Sequence, residues 1–157
     1  MYKVILILVG MLLLPISASA AKTRGSASTI QIQAFVKAYA DAMNQANVAG
    51  MMAMFSHKRG VTSVGEGDID RGWEAIRVGT NEMIGQAGSH KITIGPIEVL
   101  SLTPSIAVVV APIAYAASIE QGGEQSQGAL SLVLEKSAGK WLIVQEHESM
   151  RAQEEGD

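Results

Sequence analysis

The residues of this chain best able to do chemistry stand at the end of its last apolar stretch, where Trp141-Leu142-Ile143-Val144-Gln145 gives way to Glu146-His147-Glu148-Ser149. Alternate side chains of an extended strand share a face, so Glu146 and Glu148 stand on one side and His147 and Ser149 on the other. Two carboxylates carried into a partly apolar cavity resist ionisation, through loss of water and through mutual repulsion. A pair in that state suits proton transfer or the binding of a cation. The same glutamates at a strand end in bulk water would do neither. His147 with Ser149 has the residue types of a base and a nucleophile, yet such a pair needs an orienting acid and an oxyanion hole that spacing does not supply. Glu66, in Val64-Gly65-Glu66-Gly67, is a further carboxylate able to reach a pocket rim from an early strand.

Other chemistries are excluded by composition. The histidines, His57, His90 and His147, are dispersed and there is no cysteine, so no metal site is expected. Neither Gly25-Ser26-Ala27-Ser28 nor the stretch Val64 to Gly72 has the strand, glycine pattern and lysine of a phosphate loop, and no cofactor is expected. The net charge is −3, and the one cationic cluster, His57-Lys58-Arg59, sits in a turn. That balance argues against nucleic acid as a partner, because binding it needs a basic stripe that displaces counterions.

Residues 1–20 carry Lys3, an apolar run broken by Gly10 and Pro15, and Ala18-Ser19-Ala20 at the end. This is the order of a signal peptide, with cleavage expected after Ala20 and a secreted or periplasmic product that has no membrane segment. Residues 21–27 read as a flexible lead-in, 28–150 as one domain and 151–157 as a tail.

Within the domain, Ser28 and Gln31 form a capping box ahead of a helix whose Ile32, Phe35, Val36, Tyr39 and Met43 share one face. Asn47 opens a short helix whose methionines Met51, Met52 and Met54 are core filler. A single early strand, Val61 to Gly67, is followed by a helix capped by Asp70, with Trp73, Ile76, Thr80 and Met83 on one face. From His90 onward the texture is strands divided by turns at Thr103-Pro104, at Gly122-Gly123 and over Ser137 to Gly139. Helices followed by an antiparallel meander make an α+β fold. Alternation puts Leu130, Leu132, Leu134, Leu142, Val144, Glu146 and Glu148 on the face that meets the helices. Val133, Trp141, Ile143 and His147 go to the outer face, as an apolar stripe fit for a homodimer contact. The last strand then runs from a packed tip to an open end, and its inward residues change from core to lining.

The run from Ala38 to Phe55, Val61 to Gly67, Arg71-Gly72-Trp73-Glu74-Ala75-Ile76 and the final Gly128 to Ser149 together resemble the SnoaL-like, ketosteroid-isomerase-like branch of the nuclear transport factor 2-like superfamily. The resemblance implies a cone, a curved antiparallel sheet wrapped around N-terminal helices, with a pocket at the wide end and dimerisation through the sheet. It implies Tyr39 as the helix tyrosine that stabilises an oxyanion. At the place of the family's base stands Ser63, and at that of its protonated acid Ser131 or Leu132, none of which is basic enough at neutral pH. The arginine pocket of the kinase-association branch finds Ala114, Leu132 and Glu148 instead. The usual steroid-isomerase set is therefore incomplete. The expected function is binding of a small, partly apolar ligand by Tyr39, Ser63, Glu66, Trp73, Leu132, Val144, Glu146, His147 and Glu148. The alternatives are an isomerase- or cyclase-like enzyme using Glu146 or Glu148 with Tyr39, or a dimeric assembly module.

Overall fold

The computed structural model describes residues 19–86, 89–119 and 122–152. The apolar spacing of the first segment does build a helix: α1 runs Ser19–Asn44 and buries Ile32, Val36, Tyr39 and Met43. Helical backbone thus starts upstream of the Ser28 cap and takes in the expected lead-in. The signal sequence falls on residues that, apart from Ser19 and Ala20, lie outside those described, as do tail residues 153–157. No helix among the described residues is long and apolar enough to cross a membrane. Helix α2, Val48–Met52, begins where Asn47 Oδ1 accepts the Gly50 N–H at 2.9 Å, and its Met51 and Met52 are core residues.

The early strand is a hairpin, β1 Thr62–Gly65 with β2 Asp68–Arg71. Its two-residue turn, Glu66-Gly67, has φ of 51° and 92°, the doubly positive pattern of a type I′ turn. Sequence reading misses β2 because Glu-Gly is a weak turn signal and Asp68–Arg71 is mostly polar and exposed. Asp70 accordingly lies in a strand and does not cap the next helix, α3 Trp73–Gln86. Of the apolar face expected on α3, Ile76 is buried while Met83 remains exposed.

The expected single strand after His90 is divided at Gly95-Pro96 into β3 Ser89–Ile94 and β4 Glu98–Thr103. Pro96 has no N–H to continue a ladder. Both pieces pair antiparallel with the long β5 Ile106–Ile119, β4 along its first half and β3 along its second. Strand β6, Gly122–Ser137, continues the hairpin as far as Ile119 opposite Gly122, so Gly122 and Gly123 belong to the strand and not to the turn. The last strand is β7, Lys140–Ala152.

The sheet order is β2-β1-β7-β6-β5-β3, with β4 also on β5. The sheet is curved and does not close, and it is mixed, since β1 lies parallel to β7. The parallel pair arises because the chain leaving α2 meets β7 first, at the bridge of Phe55 with Ile143, and proceeds alongside it. Helices cover one face, and α1, α2 and α3 enclose a core with Leu130, Leu132, Leu134, Val109 and Ile143.

The face assignment of β7 is corrected by one bulge. Leu134 opposes Ile143 but Val133 opposes Gln145, leaving Val144 as the extra residue. A bulge shifts the side-chain parity of one strand. Before it, Trp141 and Ile143 point inward, 7% and 0% exposed, while Leu142 and Val144 are only half-buried. After it, Glu146 is the buried member. The expected outer stripe of Val133, Trp141 and Ile143 therefore does not exist. Among the described residues the outer face carries instead Leu100 and Val110, 62% and 45% exposed, with parity opposite to the paired, inward Val99 and Val109.

Gly128 lies where β6 and β7 approach too closely for a side chain: a Cβ there would overlap the Ser149 carbonyl oxygen. Gly128→Ala should cost roughly 1–3 kcal/mol through forced backbone displacement. Gly60→Ala, where a Cβ meets nothing within 4 Å, should stay within about 0.5 kcal/mol of wild type. Urea unfolding of both variants measures the contrast, and equal midpoints would contradict the close approach.

Candidate functional site

Strand register assembles the site. Glu146 lies opposite Ser63 on β1 and Leu132 on β6, and Glu148 lies opposite Leu130. The bulge at Val144 turns both glutamates to the helix-covered face, beneath α1. Burial of a carboxylate is costly without partners, and Glu146, 6% exposed, has two. Its Oε1 accepts the hydroxyl of Tyr39 at 2.7 Å and its Oε2 that of Ser63 at 3.0 Å. Tyr39 is itself 2% exposed, its ring edge-on to Phe55 at 6.0 Å between centroids.

The electrostatics follow from this enclosure. Loss of water raises the pKa of Glu146, and the hydroxyls of Tyr39 and Ser63 act against that rise by stabilising its anion. Glu148 is pushed up to about 8, first by burial, then by the negative charges of Glu146 and Glu66. Tyr39 is raised well above the usual phenol range, again by burial first and then by Glu146 and Glu148, so it stays a hydrogen-bond donor. Glu148 keeps part of its surface open to solvent. It is the member of the pair that an incoming molecule can touch.

The structure thus joins Tyr39, Ser63, Glu146 and Glu148, with Glu66 acting on Glu148 from the β1–β2 turn. Other candidates stand elsewhere. His147 is exposed and pairs with Val64 and Ser131 on the face away from the carboxylates, and Ser149 is exposed beside it. Val144 is the bulge residue. Leu132 is wholly buried and forms the core beneath Glu146. Trp73 donates its indole N–H to the Met52 carbonyl at 3.0 Å and stacks on His57 at 4.6 Å. Sequence reasoning treated Ser63 as a lost base. Its role as a donor to Glu146 depends on the parallel β1–β7 pairing, for which the local sequence carries no signal.

Among the described residues no three His, Cys, Asp or Glu side chains could hold a metal ion together. A groove of about 120 Å³ lies across β3, β5 and β6, lined by Lys91, Thr93, Ala116 and Gln125 among others, and shares no residue with the carboxylate site.

The chain belongs to the SnoaL-like domain family, whose model matches residues 32–153. Among curated proteins none matches it. It is similar in structure to a nuclear transport factor 2-like protein of unknown function from Shewanella oneidensis, at 21% identity and a TM-score of 0.62, over 78% of this chain and 98% of that one. It is similar also to a nuclear transport factor 2-like superfamily protein from Salmonella enterica serovar Typhimurium, at 16% identity and a TM-score of 0.71, over 86% and 95% of the two chains. A protein from Novosphingobium aromaticivorans, provisionally described as a scytalone dehydratase, matches at 13% identity and a TM-score of 0.74 over 85% of this chain and 89% of that one. At such identities the likeness is one of fold, and a shared fold does not carry an activity.

Two measurements check the pair. Replacing Glu146 by Gln removes a neighbouring charge, so the Glu148 carboxyl carbon should titrate lower than in wild type, as read by carbon-detected NMR. Raised acids also have a stability signature. Glu148 holds its proton in the folded state up to pH of about 8 but loses it near ~4.3 when unfolded. The folded chain binds more protons between those values, so stability should fall as pH rises from 5 to 8. Thermal melts of Glu148→Gln should show a smaller fall, and an identical pH dependence would place Glu148 in water.

Proposed function

We propose that the chain binds a small, partly apolar molecule against the inner face of its sheet, with Glu148 making the polar contact. The observation that carries this reading is the pair Glu146 and Glu148 on a face otherwise built from Leu130, Leu132 and Leu134, with Glu148 alone partly open to solvent. Sites of this kind combine apolar walls with a few placed polar groups. Thermal-shift measurements with a panel of small lipophilic ketones, phenols and amines test it. A binder at 100 times its Kd should stabilise the fold by about 2.7 kcal/mol, and Glu148→Gln should weaken that binder tenfold or more. Binders whose affinity is untouched by Glu148→Gln would remove the site from the reading.

A second reading, proton transfer of an isomerase- or cyclase-like kind, is favoured by the surroundings of Glu148, where burial and the charges of Glu146 and Glu66 push its pKa up to about 8, close to neutral pH. A group poised there exchanges protons efficiently in either direction. Deuterium exchange at carbon next to the carbonyl of a bound ketone, lost in Glu148→Gln, would support it.

The same reading includes export and a homodimer. Export is supported by the Ala18-Ser19-Ala20 pattern, and intact mass of the secreted or periplasmic product should place its first residue at Ala21. The dimer is supported by exposed Leu100 and Val110 on the sheet face without helices, since covering such area drives association at roughly 25 cal/mol per Å². Light scattering at micromolar concentration should give a dimer for the wild type and a monomer for Leu100→Lys combined with Val110→Lys. A monomeric wild type would end the proposal.

A further inference from the structure

The two hydroxyls on Glu146 have a consequence beyond satisfying a buried group. Tyr39 and Ser63 each occupy a different oxygen of the same carboxylate, at 2.7 and 3.0 Å. Each hydroxyl has one proton, and giving both to Glu146 requires acceptor oxygens, which favours the anion there. Glu148, two residues on along the same face, has neither hydroxyl, and the charges that act on it are those of Glu146 and Glu66. Its ladder partner is Leu130, and His147 stands on the opposite face. No cation bears on either glutamate among the described residues. One proton shared by the pair therefore has unequal places to reside.

We infer that Ser63, acting with Tyr39, is a positioning residue that keeps the negative charge on Glu146 and so keeps the transferable proton on Glu148. Ser63 touches no ligand in this role and works through Glu146. It comes from the parallel strand β1 while Tyr39 comes from α1, so the carboxylate is gripped from two elements and cannot turn to present a free oxygen. The group offered to a ligand is then a carboxylic acid O–H. Its matching chemistry is a neutral acceptor, a carbonyl or hydroxyl oxygen, in preference to a carboxylate or phosphate, which Glu146 and Glu66 would repel. This inference rests on the reading of Glu148 as the ligand-facing group, but the proton's location can be tested without any ligand.

The experiment is a carbon-detected titration of the side-chain carboxyls of the full folded domain in wild type, Ser63→Ala, Ser63→Thr and Tyr39→Phe. In the wild type, the lower step should appear on the Glu146 carboxyl carbon and the upper step on that of Glu148. Removing the Ser63 hydroxyl deletes a hydrogen bond to a charged group, so the Glu146 response should rise by about one pH unit and the Glu148 response should fall. Threonine keeps the hydroxyl and should restore the wild-type order. Tyr39→Phe should move the two responses in the same directions as Ser63→Ala, which keeps the test decisive if one variant fails to fold. An upper step borne by Glu146 in the wild type would overturn the inference, as would unchanged responses in a folded Ser63→Ala. Failure of the ligand panel alone would leave these titrations intact and would count against the binding reading only.

Discussion

A carboxylate on the covered face of a sheet is tolerated only if its charge is answered, and among the described residues the answer comes from two hydroxyls. Glu146 meets Tyr39 from α1 and Ser63 from β1, so the burial of one acid ties together the first helix, the early hairpin and the last strand. Those elements are far apart in sequence. Removing either hydroxyl would strand a buried acceptor, and an unpaired buried polar group costs about 1–3 kcal/mol. Around Leu134 and Ile143 the core is held by apolar packing; around Glu146 it is held by donors and acceptors.

The arrangement also creates an asymmetry between neighbours of the same type. Glu146 is enclosed and bonded, whereas Glu148 is half-buried and lies under the field of two other carboxylates. Chemically identical side chains two residues apart are thereby given different proton affinities, which is how a protein separates an acid from a base with few residue types. The Glu66-Gly67 turn contributes to this, because its left-handed backbone brings a third carboxylate toward the pair.

The bulge at Val144 is what makes both halves of β7 useful. With unbroken alternation the strand could put Trp141 and Ile143 inside, or Glu146 and Glu148, but not both sets. One extra residue resets the parity, so the strand seals the core with Ile143 and then turns its carboxylates to the same side. The outer face keeps His147 and Ser149 in solvent, well away from the acids they flank in sequence.

Much of this was legible in the chain itself. The spacing of Ile32, Val36, Tyr39 and Met43 is enough to make an amphipathic helix, because helical periodicity is a local property, and Tyr39 falls on its buried face for the same reason. The texture after His90 determined the strands, and Glu146 with Glu148 could be set on one face by alternation alone. The face that alternation assigned to Trp141, Ile143, Leu142 and Val144 was wrong, since a bulge depends on how two strands fit and leaves no mark in either. The β1–β7 pairing was likewise invisible, because it is parallel and joins Ser63 to a residue far along the chain. Local sequence determined which groups could carry a proton. Only tertiary structure decided where the hydroxyls of Tyr39 and Ser63 would meet them, because that meeting is a contact between elements and has no local energy to be read.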